Sequence, residues 1–222
     1  MTETVPTYTA AQVRIAETPL LAAGEPLMRR AAAALATIVS EQVTDAARPG
    51  ILILAGSGDN GGDALFAAAG LAGAYPVDIV LVADRFHEEA LAAALAAGAR
   101  RVEVSAARDG DYAVIVDGIL GIGAGGPLRG TAREVVSSLL PSLDSVRVVA
   151  VDLPSGLHPD TGAADDVVLS ASVTVTFGAV KAGLVAGGGP SLCGEIVLVD
   201  LGLGLEPADA AGTASVARVV PG

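Results

Sequence analysis

Apolar residues along this chain follow two alternating rhythms. Short, mostly aliphatic runs at 51–55, 77–82, 113–116 and 146–151 read as strands. Between them, 61–72, 88–97 and 131–140 read as helices, the last with Ala132, Val135, Val136 and Leu139 at helical spacing. A short strand is expected over 101–104, a connector over 167–169, and late strands over 171–177 and 196–199. A strand covered on both faces has no polar side to alternate with, so these runs indicate an α/β fold around a buried, mostly parallel sheet. Two helices are expected ahead of the first strand. Thr9 can cap one that presents Ala11, Ile15 and Ala16 on one face, until Pro19 and then Gly24-Glu25-Pro26 break it. Pro26 suits the first turn of a second helix reaching about residue 46, with Leu27, Ala31, Ala34, Leu35, Ile38 and Val39 as its apolar stripe. Residues 204–222 read as a tail or linker after a domain spanning 1–203.

Composition narrows the function classes. At 222 residues one domain is the default, and 52% hydrophobic against 17% charged residues describes a globular chain. Three Tyr, three Phe and no Trp leave the core to Ala, Val, Leu and Ile. A net charge of −12 argues against nucleic-acid or anionic-membrane partners, which need clustered Lys and Arg. The lone Cys193 can form no disulfide or thiolate site within one chain, and residues 1–6 lack a signal-peptide pattern, so a cytoplasmic location is expected. No apolar run approaches the ~20 residues that span a bilayer.

The chemistry concentrates after the strands. Gly56-Ser57-Gly58-Asp59-Asn60-Gly61-Gly62-Asp63 joins an aliphatic run to a helix. Gly56, Gly58 and Gly61 match a dinucleotide fingerprint, with Asp78 at a distance suited to a ribose. A pyrophosphate there would meet Asp59 and Asp63 as like charges, so the carboxylates favour hydroxyls, amides or a cation. A plainer role for Asp63 is to complement the positive end of the helix. In a parallel sheet, Asp117 and Asp152, each at the end of an aliphatic run, converge with this loop and with Ser155 outside the strand ends. Carboxylates, an amide oxygen and a hydroxyl can hold a hard cation, monovalent or divalent, or can simply cap loops. Lys181 is the only lysine in the chain and is either a proton carrier or a solvated loop residue. His87 and His158 show no ligand spacing.

Read together, four motifs carry a resemblance. They are residues 56–63; Val116-Asp117-Gly118-Ile119-Leu120-Gly121-Ile122-Gly123 continuing to Pro127-Leu128-Arg129-Gly130; Val151-Asp152-Leu153-Pro154-Ser155-Gly156-Leu157 followed by Asp160-Thr161-Gly162; and Thr176-Phe177-Gly178-Ala179-Val180-Lys181-Ala182-Gly183. In this order the chain resembles the NAD(P)H-hydrate epimerase family, the YjeF N-terminal domain. The resemblance implies a Rossmann-like three-layer sandwich with extra N-terminal helices. It implies interconversion of the R and S epimers of NADHX and NADPHX, nicotinamide cofactors hydrated at C6 of the reduced ring. Substrate-binding residues would be Asp59, Asn60, Gly61, Gly62, Asp63, Gly121, Ile122, Gly123, Ala124, Gly125, Gly126, Pro127 and Asp152. A potassium ion would be held by Asn60, Asp117 and Ser155. It further implies a homodimer and an ADP/ATP-dependent dehydratase as functional partner, separate or fused beyond residue 222. Asp59 stands where many members have Asn, and Ala64 where Gly is common.

Epimerisation at C6 needs proton transfer to and from oxygen, whether the hydroxyl leaves or the ring opens. Asp152 is the expected acid/base and Lys181 a second catalytic group. Asp152→Asn is expected to stop the exchange and leave the fold intact. Two rival classes remain, an NAD-dependent dehydrogenase seated on the first loop and a non-catalytic binding or scaffolding module of the same fold.

Overall fold

Long aliphatic runs become the inner strands of one sheet in a computed structural model of the chain, which describes residues 2–45, 47–123, 126–143 and 146–222. The elements in chain order are β1 (Glu3–Tyr8), α1 (Ala10–Ala22), α2 (Leu27–Gln42), β2 (Gly50–Ala55), α3 (Asp59–Leu71), β3 (Val77–Leu81), α4 (Glu88–Ala96), β4 (Arg100–Arg101), α5 (Val104–Asp109), β5 (Tyr112–Gly118), α6 (Gly130–Leu139), β6 (Arg147–Val151), β7 (Val173–Phe177), β8 (Val180–Lys181), α7 (Gly189–Leu192), β9 (Glu195–Asp200), β10 (Gly212–Val216) and β11 (Arg218–Pro221).

The main sheet has eight strands in the order β11-β9-β7-β6-β5-β2-β3-β4, with every neighbouring pair parallel. Side chains leave alternate faces of a strand, so β2 feeds two cores at once. Ile51 and Ile53 pack with α2, α3 and α4, while Leu52 and Leu54 pack with α5 and α6 through residues such as Ala107, Val135 and Val136. This is the Rossmann-like three-layer arrangement. The α2 stripe is buried as its spacing predicts; Leu35, Ile38 and Val39 are almost fully covered, each burial worth roughly 1.5–3 kcal/mol. Cys193 is buried in a third, smaller core with Leu153, Leu184 and Val216.

Both chain ends differ from expectation. Residues 3–8 form a strand ahead of the helices, and this β1 is the centre of a second sheet ordered β10-β1-β8. Pro6 and two Thr hide it from pattern reading, and only Thr7 and Tyr8 are buried. The stretch expected as a tail or linker instead supplies β10, antiparallel to β1, and β11, which extends the main sheet beside β9. Neither strand has a long apolar run, and each exists because a partner strand offers it a ladder. The strand expected over 101–104 is instead the two-residue β4 at Arg100–Arg101, and Val104 already begins α5.

Thr9 caps α1 as expected, and Gln12 completes a capping box by accepting from the Thr9 amide at 2.8 Å. Pro19 does not end this helix but lies within it. The turn before it is solvent-exposed, so the Ile15 carbonyl that loses its donor can meet water. Ile15 itself is 72% exposed, whereas Ala10 and Val13 are the buried residues of α1, so its inward face is not the one its apolar pattern suggests. Among the described residues, no helix is long and apolar enough to cross a membrane.

Candidate active site

Because the sheet is parallel, the loops after β2, β5, β6 and β7 open on one edge. They surround a cleft of about 540 Å³ whose lining includes Asp59, Asn60, Asp63, Gly121, Ile122, Gly123, Asp152, Phe177 and Lys181. The loops touch tightly. A Cβ on Gly56 would stand 1.9 Å from the Ile119 carbonyl oxygen, so only glycine lets the first and second loops meet there.

Asp152 and Lys181 form a buried ion pair at this edge, with side chains 5% and 1% exposed. Asp152 is the one non-glycine residue with positive φ (68°) among the described residues. Its amide donates to Val175 O at 2.7 Å, which turns the chain out of β6 and aims the carboxyl back over β7. There Oδ1 accepts from the Phe177 amide at 3.2 Å, from Thr176 Oγ1 at 3.3 Å, and from Lys181 Nζ. Lys181 also donates to Phe177 O at 2.8 Å and Thr176 Oγ1 at 3.2 Å. It is therefore not a solvated loop lysine. The ladder between β1 and β8 pairs Tyr8 with Lys181, so the N-terminal strand helps to place the ammonium.

Beneath the cleft lies an oxygen-rich cluster. Asp117, fully buried inside the last turn of β5, accepts from Ser155 Oγ at 2.6 Å, the Ser155 amide at 2.9 Å and the Ile119 amide at 3.3 Å. Burial raises its carboxyl above the usual carboxylate range, and the three hydrogen bonds pull it back. None of these partners is cationic. Asn60 Nδ2 donates to Val151 O at 2.6 Å and Leu120 O at 3.0 Å, and Ser155 Oγ lies 3.5 Å from the same Leu120 oxygen. Asn60 and Ser155 thus meet around the Leu120 carbonyl, and Asp117 joins them through Ser155. Among the described residues, no group of three or more His, Cys, Asp or Glu is arranged for a metal ion, so a cation here would rest on mixed, mostly neutral oxygens. Those donors fit a hard monovalent ion and would leave it to balance the buried Asp117 charge.

Gly121 is packed directly on Asn60, and a Cβ there would fall 2.2 Å from Oδ1. Gly121→Ala is expected to displace this amide, and a cation held by Asn60 would then bind about 10–100-fold more weakly. Titrating the catalytic rate with potassium chloride at constant ionic strength checks it; an unchanged half-saturation point would separate Asn60 from the cation.

The remaining expected residues divide. Gly61 and Gly62 do not line the cleft. They let α3 pack closely, Gly61 on the Gly56 carbonyl and Gly62 on Met28 and His87. Gly126 and Pro127 line a neighbouring cleft of about 370 Å³, which shares Ser57, Ile119 and Leu120 with the first. Ala124 and Gly125 lie outside the described residues. Asp78 sits at the opposite end of the sheet, 2.8 Å from the Arg100 guanidinium and accepting from Tyr112 OH at 2.8 Å. It is spent on structure and leaves the dinucleotide fingerprint without its ribose carboxylate.

Pattern reading missed one wall. Arg14, Glu17 and Leu21 of α1 line the cleft, and Arg14 donates to the Ile122 carbonyl. Their i, i+3, i+7 spacing puts them on one helix face, but nothing local says what that face meets. Burial raises the Glu17 carboxyl, Asp152 and Asp59 push it further, and Lys181 and Arg14 oppose them.

Several known proteins are similar to this chain in sequence or fold. An NAD(P)H-hydrate epimerase of Microbacterium testaceum is 62% identical over 208 residues, covering 91% of this chain and 80% of that protein. One from Clavibacter michiganensis subsp. michiganensis is 47% identical over 218 residues, covering 90% and 92%. The bifunctional NAD(P)H-hydrate repair enzyme Nnr of Mycobacterium tuberculosis is 43% identical over 216 residues, covering 92% of this chain and 43% of that protein. The crystal structure of yeast ynu0 (YNL200c) shares the fold with a TM-score of 0.71 at 19% identity, over 81% of this chain and 83% of that one. The family model described as YjeF-related protein N-terminus matches residues 24–183, and the chain belongs to that family.

Proposed function

We propose that this protein is an isomerase, an NAD(P)H-hydrate epimerase that interconverts the R and S forms of NADHX and NADPHX in cofactor repair. The observation that carries the reading is the buried Asp152–Lys181 pair beside an otherwise acidic cleft. A hydrated nicotinamide has a neutral hydroxyl to lose and a ring that turns cationic as it leaves. Carboxylates suit both demands, whereas they repel a pyrophosphate seated on the same loop. A scaffolding module would have no use for a buried charge pair aimed at the cleft.

In this reading Asp152 exchanges the proton with oxygen, and Lys181 fixes its orientation through the buried ion pair. Asp59, Asn60 and Asp63 would meet the hydrated ring and its sugar hydroxyls, and Gly121, Ile122 and Gly123 would line the same seat. Asn60, Asp117 and Ser155 would hold a potassium ion, which supplies positive charge to Asp117 and ties the loops together. The bifunctional name of the Mycobacterium tuberculosis relative, of which this chain spans 43%, supports a dehydratase as functional partner. A homodimer and a cytoplasmic location belong to the same proposal.

Incubating pure (R)-NADHX with the protein, with and without potassium, and following the S epimer by chromatography tests the reading. Exchange above the spontaneous rate, stimulated by potassium over sodium, is expected. No acceleration in either salt would move the chain to the binding-module class.

A further inference from the structure

Asp63 is unlike the other carboxyls of the cleft. Its Oδ1 is the buried side-chain polar atom left without a hydrogen bond among the described residues. The residue is only 6% exposed, yet it lines the cleft. Leaving a buried oxygen unpaired costs stability, and such an atom calls for a reason. The plainer role, charge at a helix N-terminus, does not supply one. Helix α3 begins at Asp59, so Asp63 lies beyond its first turn, where the macrodipole has largely faded.

The charged groups around it come from four elements. They are Arg14 and Glu17 on α1, Asp59 on α3 itself, Asp152 after β6 and Lys181 on β8. Burial, then the charges of Asp152, Asp59 and Glu17, hold the Asp63 carboxyl well above the usual carboxylate range, with Lys181 opposing. A carboxylic acid kept protonated beside a carboxylate is how one site holds an acid and a base together.

Resting on the epimerase reading, we propose that Asp63 is the acid that protonates the departing ring hydroxyl, with Asp152 as the base that receives the proton of the returning water. The C6–O bond breaks with its electron pair on oxygen, which takes the Asp63 proton and leaves as water. The ring nitrogen lone pair forms the C6–N double bond, and the ring carries the positive charge. Water then adds to the other face of C6, the double-bond pair returns to nitrogen, and the surplus proton passes to Asp152. Asp63 is now a carboxylate and Asp152 an acid, which is the starting arrangement for the reverse direction; proton exchange with solvent resets either one.

The test is Asp63→Asn in the full chain, with R-to-S rates measured across pH. Asn keeps the size and a hydrogen-bond donor but has no proton to transfer. We expect kcat to fall by about 100-fold or more with KM changed little. The wild-type rate should decline as pH rises through the raised Asp63 pKa, and that decline should vanish in the residual activity of the variant. The thermal midpoint should not drop, since a buried ionisable group has been removed. A rate within a few-fold of wild type, or an unchanged alkaline decline, overturns the proposal. If Asp63→Asn does not fold, Asp63→Glu decides: it should retain exchange with a displaced decline, and an unmoved decline overturns the assignment. Wild-type protein that fails to exceed spontaneous exchange refutes the epimerase reading itself, whereas a fast Asp63→Asn refutes only the role of Asp63.

Discussion

Asp152→Asn is expected to lower epimerisation by about 10²–10⁴-fold, the usual contribution of a positioned acid/base. The backbone should tolerate the change. Residue 152 sits at φ 68°, a conformation that Asn and Asp adopt more readily than other side chains. Asn is thus a cleaner probe than Ala, which would add backbone strain to the chemical loss. Pattern reading alone expects the fold to be untouched. The structure changes that expectation, because Lys181 is 1% exposed and would lose its only carboxylate partner among the described residues. Phe177 O and Thr176 Oγ1 still accept from Nζ, and the Asn carbonyl can replace one hydrogen bond. A loss of about 3 kcal/mol follows, at the low end for breaking a buried pair. Exchange assays and urea unfolding measure the two effects separately. Near-normal exchange would remove Asp152 from the chemistry.

Lys181→Met should be the more damaging of the pair to stability, by about 3–5 kcal/mol, since it leaves a buried carboxylate with no cation. Met matches the aliphatic stem of Lys, so the lost charge rather than a cavity dominates. The double variant Asp152→Asn/Lys181→Met has neither charge to strand. It should recover much of the loss, with a coupling of about 0.5–3 kcal/mol in a double-mutant cycle. Unfolding curves of the four proteins read this directly. Strictly additive losses would mean that the two groups do not act as a pair. The double variant should still lack exchange activity, which separates the structural use of the pair from its chemical use.

Much of the site was legible because chain order in a parallel sheet translates into space. Once the runs at 51–55, 113–116 and 146–151 are strands in one direction, Asp63, Asp117 and Asp152 must gather at one edge. Register was less legible. Asp117 looked like a residue following its strand, but β5 extends to Gly118 and buries the carboxyl completely. Asp78 looked like a ribose ligand at a suitable sequence distance, yet β3 begins at Val77 and leaves it at the wrong end of the sheet. The glycines of the first loop divided in a way no motif announces. Gly61 and Gly62 serve packing within α3, and it is the carboxylates around them that face the cleft.

What the chain ends do was invisible for a different reason. Strands β1 and β10 owe their existence to each other across most of the chain, β11 owes its own to the ladder of β9, and the apolar signals of all three are weak. The Arg14 and Glu17 wall likewise depends on where α1 comes to rest. By itself, then, the sequence determined the layered α/β core and the edge on which the chemistry gathers, because both follow from local periodicity and strand direction. Only the tertiary structure decided that Lys181 is buried against Asp152, that Asp63 is left unpaired, and that an N-terminal strand and helix complete the site. Burial and pairing are set by residues distant in sequence, and no local pattern encodes them.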